Sequence, residues 1–284
     1  MADKIMKTFI ILFQCKDQKG IVARISDFIF KQGGNIIAAD QHSTDPDEGY
    51  FFIRIEFAIS SNSVNKDTLS SGLAGVALEF SAEFKVYDKD DKLKVGIFVS
   101  RADHCLFDLL YLWRSGELRV EIPFVASNYD LHREFVEQNK IPFYFIPSHK
   151  ADRKEAEFLN LAKKIDFLVL ARYMLVLSQD FLSSFGKDII NIHHGFLPSF
   201  KGIDPYRQAL NSGVKVIGAT AHFATQNLDE GPIISQAVEP VSHKDGLNDL
   251  VRKGKNLEKK ALAEAVSNYI NYRIIRYRNK TIVF

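Results

Sequence analysis

The chain has 284 residues, 46% hydrophobic and 25% charged, with a net charge of +2. That is the make-up of a globular protein with room for two domains, and so balanced a charge gives no reason to invoke nucleic acid or an anionic membrane as a partner. Cys15 and Cys105 stand far apart without a Cys-x-x-Cys spacing, so neither a disulfide framework nor a cysteine zinc site is indicated. The opening at 1–7 is polar and carries no secretory pattern, and the longest apolar stretch, 167–177, holds Arg172 and is well short of the roughly 20 residues that span a bilayer. These features predict a soluble protein of the cytoplasm.

Residues 8–13 read as a strand, Asp17 to Gly20 as a turn, and 21–30 as a helix by its apolar spacing, ended by Gly33 and Gly34. Residues 35–40 and 50–57 read as strands joined by the turn-rich 45–49, followed by a helix over 69–80 and a strand over 82–86. The order βαββαβ is ferredoxin-like. A charge cluster over 87–92 then breaks the pattern and predicts a boundary, with a first domain at 1–88, a linker at 89–93 and a second domain at 94–284.

Strands at 93–99, 120–126, 143–146, 167–170 and 188–193 alternate with helices at 105–114, 131–138 and 154–164. Near-continuous apolar strands in a β-α-β rhythm predict a Rossmann-like, mostly parallel sheet covered on both faces, with a site beyond the carboxyl ends of its strands. At one such end stand Asn191 and His193, two residues apart in an apolar run, so that their side chains share a face. His194 would point the opposite way unless the chain turns there, which Gly195 makes easy. Asp103 suits an N-cap for the helix that follows, with Cys105 a buried thiol rather than a nucleophile. The histidine pair lacks metal-ligand spacing, so no metal is expected.

The run Asn191-Ile192-His193, leading into Leu197, Pro198 and Gly202, resembles the active-site strand and loop of folate-dependent formyltransferases. The later Asp229, Gly231, Pro232, Ile233 and Ile234 match that family's Asp-x-Gly-Pro-Ile-Ile segment. The front segment, with Asp17, Gly20 and Ile21 and then Gly34 and Asn35, resembles an ACT domain. That fusion is similar to the 10-formyltetrahydrofolate deformylases, and the resemblance covers essentially the whole chain. It implies hydrolysis of the formyl group to formate and free folate, serving one-carbon and purine metabolism, with the folate as substrate and no cofactor. Asn191, His193 and Asp229 would be catalytic, and Arg172, Met174, Val176, His194 and Gly202 would contact the substrate. The ACT resemblance implies an amino-acid effector bordered by Asp17, Gly20, Ile21, Gly34 and Asn35, and a homo-oligomer. One departure is Gly195, where the family usually carries Ser.

Two other readings compete with hydrolysis: transfer of the formyl group to an amine such as glycinamide ribonucleotide, and a folate- and amino-acid-sensing protein without chemistry. The transferases hold their acceptor's phosphate on a Gly-rich turn after the first strand. The corresponding turn here, Ser100-Arg101-Ala102-Asp103, has no glycine and carries a carboxylate, although Arg101 could still attract an anion. Retention of Asn191, His193 and Asp229 together argues against a binding-only protein.

Overall fold

The structure, a computed structural model, describes residues 6–45, 48–60, 64–200, 202 and 204–284. Residues 1–5 of the polar opening, part of the expected 45–49 loop and Lys201 lie outside them. Two compact units divide the chain, and the break falls between Lys92 and Leu93, at the end of the charge cluster.

The first unit runs β1 (Lys7–Lys16), α1 (Ile21–Lys31), β2 (Gly34–Ser43), β3 (Tyr50–Ile59), α2 (Lys66–Glu79) and β4 (Glu83–Asp88). Its antiparallel sheet has the order β2-β3-β1-β4, as a ferredoxin-like βαββαβ fold requires. Alternate residues of the central strands, Phe9, Ile11 and Phe13 with Ile53, Ile55 and Phe57, turn toward Ile25, Phe28 and Ile29 of α1 and Leu69 and Leu73 of α2. The α2 helix starts earlier than its apolar spacing suggests because Asn65 and Thr68 form a capping box.

One correction concerns the end of the chain. Residues 271–277 and 282–284 belong to this first unit, not to the second domain that 94–284 was expected to form. Tyr272 stacks on Tyr87 at 3.9 Å, Tyr277 meets Phe52 edge-on at 5.2 Å, and buried Arg54 donates to the Tyr272 carbonyl at 3.1 Å. These rings supply apolar cover for sheet residues that alternate with those facing the helices.

The second unit runs β5 (Lys94–Val99), α3 (His104–Ser115), β6 (Glu121–Ser127), α4 (Arg133–Gln138), β7 (Phe143–Phe145), α5 (Glu155–Ala162) and β8 (Phe167–Ala171). It continues through α6 (Gln179–Phe185), β9 (Asp188–His193), α7 (Pro205–Asn211), β10 (Val216–Phe223), β11 (Ile233–Pro240) and α8 (Leu247–Ile270). The terminal strands β12 (Ile274–Tyr277) and β13 (Lys280–Val283) form a small sheet of their own. The seven-stranded sheet has the order β11-β10-β9-β8-β5-β6-β7, parallel from β9 to β7 and closed by the antiparallel pair β10 and β11. Because the chain goes outward from β5 to β7 and then returns to β8 on the other side, the strand order reverses between β5 and β8. A crevice opens at such a reversal, beyond the carboxyl ends of the strands.

Candidate active site

Where β9 ends, His193 is its last residue, and the chain bends through His194 and Gly195 into the loop before α7. Asn191 and His193 do share a face, and the register of β10 explains what they meet there. His222 stands opposite Asn191, and Thr220 opposite His193, so four polar side chains from two strands gather on one side of the sheet. Asn191 Nδ2 donates to His222 Nε2 at 3.1 Å, while His222 Nδ1 donates to the Phe223 carbonyl at 3.0 Å. Burial lowers the His222 pKa below its ordinary value, so the ring stays neutral and its tautomer is fixed by these two bonds.

Asp229 reaches the same spot from the β10–β11 loop, where it adopts a left-handed backbone (φ 57°) that aspartate tolerates better than most residues. Its Oδ2 lies 3.2 Å from His193 Nδ1, and its Oδ1 lies 3.8 Å from His222 Nε2. Burial works to raise this carboxyl, but the hydrogen bond and charge of His193 and the backbone N–H of Gly202 outweigh it. The pKa falls below the ordinary aspartate value. The carboxylate is therefore ionised and half-buried, close against an imidazole.

Thr220, fully buried, holds the bend in place by donating to the Gly195 carbonyl at 2.9 Å and accepting the Leu197 N–H at 3.0 Å. A side chain at Gly195 would bring a Cβ to 2.8 Å from His193 Nε2, so the glycine leaves room for the His193 ring. The turn also brings the His194 ring alongside His193, with centroids 5.4 Å apart. Burial first, and then the charge of Arg172, lower the His194 pKa to about 4.

These groups open onto a cavity of about 220 Å³, many times the ~10–15 Å³ that one water requires. Asn191, His193, His194, Gly202 and Asp229 line it, joined by Arg172, Met174 and Val176 from the loop after β8. Every residue expected at the catalytic and substrate positions thus reaches one cavity. Met174 and Val176 are exposed rather than packed in the core, and the Met174 N–H donates to Ser100 Oγ at 3.0 Å, which ties the loop to the end of β5. Thr220 and His222 were missed by sequence reasoning, although Thr220-Ala221-His222 repeats the two-residue spacing that marks Asn191 and His193.

Elsewhere the structure bears on three further expectations. Asp103 occupies the N-cap position of α3, but its side chain makes no capping bond. Arg101 lies over the Tyr129 ring at 4.5 Å, a cation–π contact that leaves the exposed guanidinium its charge. The effector residues do not gather in one place. Asp17 and Gly20 follow the Lys16 end of β1, whereas Gly34 and Asn35 open β2 beside the Lys7 end, where Gly34 and Lys7 both register with Ile59. Nine strand steps separate the two ends, roughly 30 Å. Ile21 is buried in the core, and Gly34 is small because a Cβ would meet Ile29 at 2.8 Å.

Comparison with known proteins gives this geometry a family. The formyl transferase family matches residues 93–266, and the ACT domain family matches residues 9–68. A formyltetrahydrofolate deformylase of Synechocystis sp. is 44% identical, over 98% of this chain and 98% of its own length. The chain belongs to the formyltetrahydrofolate deformylase family. The crystal structure of a deformylase from Pseudomonas syringae pv. tomato agrees, with a TM-score of 0.93 at 40% identity over 100% of this chain and 96% of that one. A glycinamide ribonucleotide transformylase from Symbiobacterium toebii is less similar, with a TM-score of 0.64 at 29% identity over 69% of this chain and 96% of its own. A deformylase is a hydrolase. Ser100 is buried and spends its hydroxyl on Asn128 at 2.8 Å and on the Met174 N–H. Among the described residues, no helix is long and apolar enough to cross a membrane.

Proposed function

We propose that this deformylase cleaves 10-formyltetrahydrofolate at the Asn191, His193 and Asp229 cluster, giving tetrahydrofolate and formate. Water attacks the formyl carbon, a C–O bond forms, the C–N bond breaks, and the departing nitrogen receives a proton. Asp229, ionised and beside His193, orients the water and accepts its proton. Asn191 spends one amide N–H on His222 and offers the other to the oxyanion that develops on the formyl oxygen. His193 polarises the carbonyl or passes a proton to nitrogen. The contact between Asp229 and His193 is the observation that carries this reading, since it joins two distant segments at the cavity floor. The loop bearing Arg172, Met174 and Val176 holds the pterin, and the folate is the substrate, with no cofactor taking part. The reaction supplies formate and free folate to one-carbon and purine metabolism in the cytoplasm.

The test is incubation with 10-formyltetrahydrofolate, with and without an amine acceptor, while formate is measured. Formate release without acceptor is the expected result. Strict dependence on the amine would make the chain a transferase, and binding without turnover would make it a sensor.

For the first unit, the separation of Asp17 and Gly20 from Gly34 and Asn35 supports a homo-oligomer in which the two ends come from different copies and an amino acid sits between them. Isothermal titration with a panel of amino acids checks this, and binding by a monomeric form would refute it.

A further inference from the structure

Around Lys253, Lys255 and Lys259 the helix α8 carries a strongly charged sequence, yet Glu258 is only 1% exposed. Three side chains from three other segments converge on it. Tyr206 of α7 donates its hydroxyl to Oε1 at 2.6 Å, and His104 Nε2 of α3 donates to Oε2 at 2.8 Å. Arg172 Nε, from the loop after β8, lies 3.1 Å from Oε2 in an ionic contact. One turn earlier on α8, Gly254 leaves the space that Tyr206 fills, since a Cβ there would fall 2.0 Å from the phenol oxygen. Burial works to raise the Glu258 carboxyl, but the His104 bond, the Arg172 and His104 charges and the Tyr206 hydroxyl outweigh it and hold the group ionised.

A buried ion pair is a poor way to hold a core together, because well-packed apolar residues do that as well or better. Nor does a metal ion explain it. His104, Cys105 and Glu258 offer donor atoms within 4.8 Å of one another, but the Arg172 guanidinium already faces the carboxylate, and burial raises the Cys105 thiol well above its ordinary pKa. The cluster reaches the formyl site instead. The Tyr206 ring meets His194 edge to face at 5.9 Å, and Arg172 and His194 line the same cavity.

We propose that Glu258 is a positioning residue for hydrolysis: it fixes Tyr206 against His194 and Arg172 in the cavity wall, and so sets the orientation and charge of the imidazole beside His193. The inference rests on the hydrolytic reading above. The groups whose charge bears on His194 are Arg172 from the β8–α6 loop, Glu258 from α8, His193 from β9, and Asp229 from the β10–β11 loop, with Asp204 at the start of α7. Arg172 is the cation that opposes protonation of the ring, and Glu258 keeps that cation in place.

Formate release by the full-length enzyme without acceptor tests this, and wild-type turnover establishes the reaction before any variant is read. Tyr206→Phe keeps the ring against His194 and removes its bond to Glu258, whereas Glu258→Gln keeps an acceptor and removes the charge. Each is expected to lower kcat about tenfold, the scale of one hydrogen bond to a charged group, with KM changed less than about threefold. The double variant should be no worse than the poorer single, because both cut one link. Losses that multiply in the double variant, or that sit wholly in KM, overturn the proposal. Since Glu258→Gln strands Arg172 and can fail to fold, Tyr206→Phe is decisive alone, and a wild-type kcat in that variant also overturns it.

A pH profile separates positioning from mere support. Arg172→Met leaves burial and the carboxylates of Glu258 and Asp229 acting on His194, so protonation of the ring becomes easier and an acid limb in kcat should move to higher pH than in the wild type. Adding Glu258→Gln removes that anion and should drive the limb back toward the wild-type position. A single variant without the shift, or a double variant that keeps it unchanged, is inconsistent with the assignment.

Discussion

Asn191 has only one amide N–H to give to substrate, because His222 takes the other and is held to its accepting tautomer by the Phe223 carbonyl. Loss of a single oxyanion donor costs about 3 kcal/mol, so Asn191→Ala should slow formate release by roughly a hundredfold or more at an unchanged melting temperature. Asp229→Asn keeps the size of the side chain and removes the carboxylate proposed to accept the proton of water, and its rate should fall at least as far. His194 allows a test by stability instead of rate. Its folded pKa of about 4 lies below the ordinary 6.5, so the unfolded chain takes up the proton first as pH falls. Its contribution is complete above about pH 6.5 and is lost between there and pH 4, by about 3 kcal/mol in all. Thermal melts of wild type and His194→Gln across that range check it. The wild type should lose stability more steeply, and parallel curves would show that the ring is not held neutral.

Two helical glycines separate space filled by function from space left open. Gly254 of α8 lies against the Tyr206 ring, and Gly254→Ala forces the phenol away at a cost of about 1–3 kcal/mol, with a fall in formate release as His194 loses its support. Gly75, exposed within α2, has nothing within 4 Å of its would-be Cβ, so Gly75→Ala should stabilise by about 0.5–1 kcal/mol. Denaturant melts of the two variants should move in opposite directions. The same contrast explains what could be read from the chain. Strands β1, β3, β5, β8 and β9 are nearly unbroken apolar runs, and Asn191 and His193 interrupt one of them at a telling spacing, so the fold and the place of the candidate site were legible. Glu258 was not, because a glutamate among lysines on a helix has the pattern of a solvated face, and only the packing of α3, α7 and α8 buries it. His222 was missed because its meaning depends on the register of β10 against β9, which no local pattern encodes.

The course of the whole chain was the least legible feature. The stretch 271–277 packs in the first unit and receives a bond from Arg54, 218 residues away. Sequence gives no local hint of a partner so distant, since the alternation of rings and charges fits an edge strand and a solvated tail equally well. The chain therefore leaves the first unit at Lys92, builds the second, and supplies the last pieces of the first on its return. Tyr272 is 8% exposed and stacked on Tyr87, so Tyr272→Ala removes a buried aromatic ring, a loss of about 3–5 kcal/mol. The loss should be confined to the first unit. Hydrogen exchange should quicken in β1, β3 and β4 while the amides of β8 and β9 keep their protection, and formate release should hold its wild-type rate below the first melting transition. Faster exchange throughout both units would mean that they unfold as one cooperative block, and the assignment of the tail to the first unit would then carry no separate energetic meaning.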